Sequence, residues 1–145
     1  MEADTRHTVY VAVFAIVIRD GEVLLLRRHN TGYRDGQYGL PAGHLEVGEN
    51  VENAVVRELF EETTLHAEPD DVEIKHVSHN RDGDEYVNFF GRVDKWHGEP
   101  RNSEPQKCDD IRWFSLNALP ENTIPYVEDT LLHIEKGVVF SRWPE

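Results

Sequence analysis

Apolar residues follow two periods along this chain. Residues 7–18 are apolar almost without a break, from Val9 to Ile18, and rich in Val, Ile, Tyr and Phe. That run predicts a strand covered on both faces. Asp20-Gly21 tolerates positive φ and marks a hairpin turn, after which residues 22–28 return as a second strand. Residues 30–37 hold Asn-Thr-Gly and Arg-Asp-Gly and read as a loop. The pattern then changes period. Val51, Ala54, Val55 and Leu59 form a stripe at helical spacing, with Asn50 placed to cap the helix. Val56 and Phe60 widen the apolar arc, which predicts cover on more than one side.

The second half alternates again. Residues 70–80 and 85–96 read as strands around the turn 81–84. In the latter, Tyr86, Asn88, Phe90 and Arg92 alternate with Val87, Phe89, Gly91 and Val93. Residues 97–107 read as a loop, 111–116 as a short strand and 117–120 as a turn. Residues 123–136 predict a second helix. Pro125 suits its first turn, Tyr126, Val127, Thr130, Leu131 and Ile134 make its stripe, and Gly137 suits its C-terminal cap. Four or five strands, a helix in mid-chain and another near the end lack a regular βαβ repeat. The expected fold is therefore mixed α/β (α+β), a sandwich of helices around a mixed sheet rather than a Rossmann fold.

Composition narrows the classes of function. The 145 residues suit one domain, 1–145, with residues 1–6 expected as a frayed terminus. A formal charge of −13 disfavours duplex nucleic acid and anionic membranes as partners. A small anionic substrate stays open, because a bound cation inverts the local field. The single cysteine, Cys108, forms no internal disulfide, and a reducing cytoplasm is the expected compartment. The apolar run at 9–18 is shorter than the roughly 20 residues that span a bilayer. Met1-Glu2-Ala3-Asp4 lacks the positive start of a secretory signal.

The mid-chain helix ends in Glu58, Glu61 and Glu62, which its period places on one face. Like charges so spaced cost about 0.2–0.5 kcal/mol per pair, and they stand at the negative end of the helix dipole. Either they solvate a face or they hold a hard divalent cation. The narrow polar arc left by the apolar stripe weakens the first reading. Gly39 and Gly43, just upstream, allow close backbone approach to a strand or a ligand. Arg27 and Arg28 end the second strand on opposite faces, one expected in solvent and one facing a phosphate. The eight histidines lack zinc spacing. Of these, His76 and His79 are expected on opposite sides of a strand, at the surface or as satisfied core.

Residues 43–65 resemble the Nudix box, in which a glycine, a glutamate and an Arg-Glu-aliphatic-x-Glu-Glu run recur at fixed spacing. Gly43, Glu49, Arg57, Glu58, Leu59, Glu61, Glu62 and Leu65 fall in register. Thr64 stands where the pattern has glycine. A glycine there serves a positive-φ helix exit, and threonine's branched Cβ resists it, so a reshaped exit is expected. Residues 96–100, Glu104 and the run from Trp113 to Leu116 with Leu119-Pro120 are similar to the C-terminal half of MutT-type members. The resemblance covers most of residues 9–134.

The resemblance implies a Nudix hydrolase that uses Mg²⁺, with Mn²⁺ as a substitute. It implies Glu58 and Glu62 as direct metal ligands, Glu61 as a third and the Gly43 carbonyl as another. Arg57 is implied to pair with Glu49 and hold the loop to the helix. Glu104 is implied as a further carboxylate near the metal and a candidate general base, with Glu58 its rival. Glu46 is either a metal- or phosphate-side residue or a solvated carboxylate. Tyr10, Phe90 and Asn122 are candidates to border a base pocket, with a place in the core or at the surface as the alternative for each. Of Trp113 and Phe114, one is expected in the core and one as a substrate platform. The implied reaction splits a nucleoside triphosphate, such as 8-oxo-dGTP, into a monophosphate and pyrophosphate. A nucleotide sugar or dinucleotide is the rival substrate, and a non-catalytic nucleotide-binding module the rival class. The expected partner is a small nucleotide, not a nucleic acid polymer or a membrane, with the chain as monomer or homodimer.

Overall fold

The computed structural model describes residues 5–144. The strands are β1 (Tyr10–Ile16), β2 (Ile18–Arg19), β3 (Glu22–Arg28), β4 (Tyr38–Gly39), β5 (Ala42–His44), β6 (Val72–Asn80), β7 (Tyr86–Val93), β8 (Cys108–Ser115) and β9 (Phe140–Trp143). The helices are α1 (Val51–Thr63) and α2 (Pro125–Glu135). One sheet has five strands in the order β5-β1-β7-β6-β9. It is mixed, since β1 pairs β7 in parallel and β5 antiparallel, while β6 pairs β7 antiparallel and β9 in parallel. The smaller sheet gathers β2, β4 and β8 with β3.

β1 organises the core because its two faces feed different layers. Ala12, Phe14 and Ile16 pack with Phe90 of β7 and with Ile124, Val127 and Leu131 at α2. Val13, Ala15 and Val17 pack with Ala54, Val55 and Leu59 of α1. The period-2 alternation of one strand thus joins two helices across one sheet. Phe14 and Phe90 stack at 4.5 Å between ring centres. Phe90 is fully buried, so it is core and does not border a base pocket.

Several expectations change. The run at 7–18 is buried on both faces only from Ala12 to Val17, with Tyr10 exposed, and it splits at Val17, with β1 in one sheet and β2 in the other. β4, β5 and β9 are added, each too short or too irregular to carry a period. The third strand begins at Val72 after a 3-10 turn, Pro69–Asp71, and β8 begins at Cys108 rather than 111. Asn50 occupies the cap position of α1 but makes no side-chain cap hydrogen bond. Its backbone oxygen accepts from Ala54 N at 3.0 Å. Phe60 is 53% exposed, so α1 is covered on one side only. At α2, Gly137 has φ 75°. Gly137 N donates to Ile134 O and Val138 N to His133 O, which closes the helix as a Schellman motif.

Thr64 overturns the expected reshaped exit. It adopts the left-handed conformation itself, φ 67°, and its N–H donates to Phe60 O at 2.9 Å. The hydrogen bond and the fixed path of Leu65 into the core outweigh the steric cost of the branched side chain, about 1–2 kcal/mol.

Candidate active site

The loop before α1 is folded by its own carboxylate. Glu46 N donates to Glu49 Oε1 at 2.9 Å and Glu49 N to Glu46 O at 3.2 Å. Arg57 then joins loop, strand and helix. Its Nε and Nη2 meet both oxygens of Glu49 at 2.6 and 2.9 Å. Nη2 also donates to His44 O at 3.0 Å, and Nη1 to Glu58 at 2.7 Å and Glu61 at 3.3 Å. This is a two-pronged Arg–carboxylate pair, the stronger class of ion pair. Glu46 stands at 3.6 Å from Nη1 and is mostly solvated.

Glu58 lies against Gly43. A Cβ built on Gly43 would stand 2.1 Å from Oε1 and 2.4 Å from Oε2 of Glu58. Glu58 keeps this position only because residue 43 carries no side chain. Glu62 accepts from the backbone N–H of Ala42 at 2.8 Å. Burial pushes the Glu58 carboxyl up, against the opposing pull of Arg57. Burial pushes the Glu62 carboxyl well above the usual carboxylate range, with the charges of Glu58 and Glu104 adding to it.

Glu104 reaches this group through the end of α1. The last carbonyls of a helix lack intrahelical partners, and the loop after β7 supplies them. Arg101 N donates to Thr63 O at 2.8 Å, Ser103 N to Glu62 O at 3.3 Å, and Ser103 Oγ to Glu61 O. Glu104 follows directly, with its N–H on Asn102 Oδ1 at 3.1 Å.

The four carboxylates open on one cavity of about 1090 Å³. Gly43, Glu46, Arg27 and Arg28 also line it. The register of β3 against β8 shifts between Arg27 and Arg28, so the strict alternation expected of them fails and both line the cavity. Arg27 Nε donates to Asp109 Oδ1 at 2.6 Å, and Arg28 Nε to Tyr33 O at 2.7 Å. Lys107 joins them on the wall, 3.9 Å from Glu104. Four expected residues lie elsewhere. Tyr10 is exposed and Phe90 is core. Trp113 packs with Trp96 and under the guanidinium of Arg19 at 4.3 Å. Asn122 donates to Gly36 O at 2.8 Å on the outer surface. Phe114 meets Tyr38 edge-on at 4.8 Å, so neither member of the Trp113–Phe114 pair is a platform in this cavity. Tyr33, His44, Asn80, Asn88 and Tyr126 line it instead. Asn88 left a signal, a polar residue between Tyr86 and Phe90 on one strand face.

The donor set fits a hard divalent cation: several carboxylates, two of them carrying burial costs that a cation would relieve, beside a glycine that leaves them room. Among the described residues, no three acidic, His or Cys side chains converge on one point. Glu58 is turned to Arg57, and Glu62 to Ala42 N.

The sequence profile of the NUDIX domain matches residues 7–133. The chain belongs to the Nudix family. The ADP-ribose pyrophosphatase of Methanocaldococcus jannaschii is 36% identical over 112 residues, which are 77% of this chain and 64% of that protein. The 8-oxo-dGTP diphosphatase of Escherichia coli K12 is 28% identical, over 84% of this chain and 92% of its own. This Nudix chain spans 45% to 64% of the length of several curated relatives. Among solved structures, the MutT NUDIX hydrolase from Burkholderia pseudomallei matches with a TM-score of 0.80 at 30% identity, covering 87% of this chain and 98% of that one. Among the described residues no helix is long and apolar enough to cross a membrane.

Proposed function

We propose that this Nudix protein is a divalent-cation-dependent pyrophosphohydrolase that splits a nucleoside triphosphate into a nucleoside monophosphate and pyrophosphate. The observation that carries the reading is Glu58 packed against Gly43, with Glu61, Glu62 and Glu104 on the same wall of one large cavity. Mg²⁺ bound by Glu58, Glu61, Glu62 and the Gly43 carbonyl would neutralise phosphate charge and align the scissile anhydride. The chain's own groups do the rest. Arg57 holds loop and helix in fixed relation through Glu49. Arg28 and Lys107 on the wall attract the polyphosphate. Glu104, half-buried and held by its backbone, accepts the proton of the attacking water. The E. coli 8-oxo-dGTP diphosphatase, matched over nearly its whole length, supports the triphosphate reading.

The similarity to an ADP-ribose pyrophosphatase favours a second reading, a nucleoside diphosphate joined to a sugar. Product analysis separates the two. Triphosphates, nucleotide sugars and dinucleotides are incubated with Mg²⁺ and the products identified. Pyrophosphate from a triphosphate is the expected result, and a sugar phosphate from ADP-ribose alone selects the second reading. Chelation abolishes turnover, and Glu62→Gln lowers kcat by about 10²–10⁴-fold. An unchanged rate in that variant overturns the assignment.

A further inference from the structure

The face of the five-stranded sheet that floors the cavity carries buried amides where its pattern calls for apolar residues. Register places His44, Ala12, Asn88 and Ser78 in one row across β5, β1, β7 and β6. The next row toward the core holds Ala42, Phe14, Phe90 and His76, and the row beyond it on the other side holds Tyr10, Tyr86 and Asn80. Asn88 is 2% exposed and Asn80 6%. No polar side-chain atom of either residue is both buried and without a partner, so the unpaired half of each amide is reached from the open space beside it. Both residues line the cavity, so what remains of their bonding capacity faces a ligand.

Each amide has one half occupied. Asn88 Nδ2 donates to Ser78 Oγ at 3.2 Å, while its Oδ1 has no partner among the described residues. Asn80 Oδ1 accepts from Asp82 N at 2.9 Å, while its Nδ2 has none. The free groups are thus one acceptor and one donor, on adjacent strands and on the same face. Tyr86 and Tyr126, both half-buried, line the cavity with them and supply ring surface for a flat molecule. Asn88 stands two strands away from His44, the neighbour of Gly43. Two strand spacings are about 10 Å, the reach from a phosphate across a ribose to the far edge of a base.

We propose that Asn80 and Asn88 read one edge of the substrate's base. Asn80 Nδ2 donates to a ring acceptor, and Asn88 Oδ1 accepts from a ring or amino N–H. Ser78 positions Asn88. Each nucleobase presents a different donor and acceptor sequence, so this pair sets a base preference. The inference rests on the nucleotide reading above and adds the residues that select within it.

The test measures kcat/KM with Mg²⁺ for triphosphates of the four bases, and the thermal shift given by the matching nucleoside monophosphates without metal. Asn80→Asp keeps the acceptor for Asp82 N and loses the free donor. Asn88→Asp keeps an acceptor, and Asn88→Leu has none. The wild type prefers one base. Asn80→Asp and Asn88→Leu reduce that preference about 10- to 100-fold, and Asn88→Asp retains it. Ratios between bases cancel any uniform repulsion from the added carboxylates. If Asn88→Leu fails to fold, Asn80→Asp decides alone. A wild type indifferent to base, or a preference untouched by Asn80→Asp, overturns the proposal. If the wild type hydrolyses nothing, the catalytic reading fails, and the monophosphate shifts still decide. A base-dependent shift lost in Asn80→Asp supports the amide pair, and no shift with any monophosphate overturns it.

Discussion

At Gly43 a methyl group would stand 2.1 Å from the carboxylate of Glu58, inside any contact that real side chains make. The backbone there is ordinary, so the glycine is a matter of space alone. Gly43→Ala must therefore push Glu58 off its place or move β5. A displacement near 1 Å at reacting groups costs about 100-fold in rate. We expect Gly43→Ala to lose kcat on that order while still folding, as judged by circular dichroism and turnover on one protein sample. Full activity in a folded Gly43→Ala protein would refute the role of this contact. The arginine beside it makes a different argument. Arg57 bonds Glu49 with two nitrogens in a planar fork, which lysine does not reproduce. Arg57→Lys is expected to lower stability by about 2 kcal/mol, read as a reduced urea midpoint with unchanged slope.

At the level of elements, the exit of α1 shows what periodicity reaches and what it does not. The helix, its buried stripe of Ala54, Val55 and Leu59, and the second helix were legible because burial repeats at 3.6 residues. The carboxylate group was legible because sequence neighbours on a helix are neighbours in space. β4 and β5 were not, since two or three residues show no period. β9 escaped because its partner, β6, lies 63 residues upstream, Val77 facing Phe140. Arg28, Asn80, Asn88 and Tyr126 meet only through sheet register and loop path, which no local pattern encodes. Thr64 was legible as a departure, but its conformation was not: the surroundings hold it at φ 67° against its own preference. Thr64→Gly removes that strain and is expected to raise stability by about 1 kcal/mol. Thr64 does not line the cavity, so kcat should not change. A Thr64→Gly protein with lower stability would show that threonine is held there by something other than tolerance.

Across the whole molecule, titrating groups pull stability in opposite directions with pH. Burial raises Glu58 and Glu62, so their contribution is full below the unfolded carboxyl value and is lost as pH rises through the folded values. Glu49 and Glu85 are lowered by hydrogen bonds from Arg57 and from His79 and His7, respectively. Their contribution is present above the unfolded value and lost as pH falls through the folded one, in acid. His76 works between these windows. It is 1% exposed, its Nδ1 meets Val138 O at 2.8 Å and its Nε2 meets Ser141 Oγ at 2.7 Å. It thereby ties β6 to the segment leading into β9 and to β9 itself. The ring of His133 stacks on it at 5.6 Å. Desolvation holds its folded pKa below the ordinary histidine value, the proximity of His133 adding to this. An unfolded histidine titrates near pH ~6.5. Between the two values the unfolded chain binds more protons, so stability rises with pH there. The contribution of His76 is full above pH ~6.5 and is lost as pH falls from that value through the folded one. His76→Gln keeps hydrogen-bonding capacity without a titrating ring. The difference in unfolding free energy between the wild type and this variant cancels the carboxylates common to both. Measured by urea unfolding from about pH 7.5 to about pH 5, it should shrink steadily below pH ~6.5. A difference that stays flat across that interval would mean that His76 does not enter the core as the neutral ring.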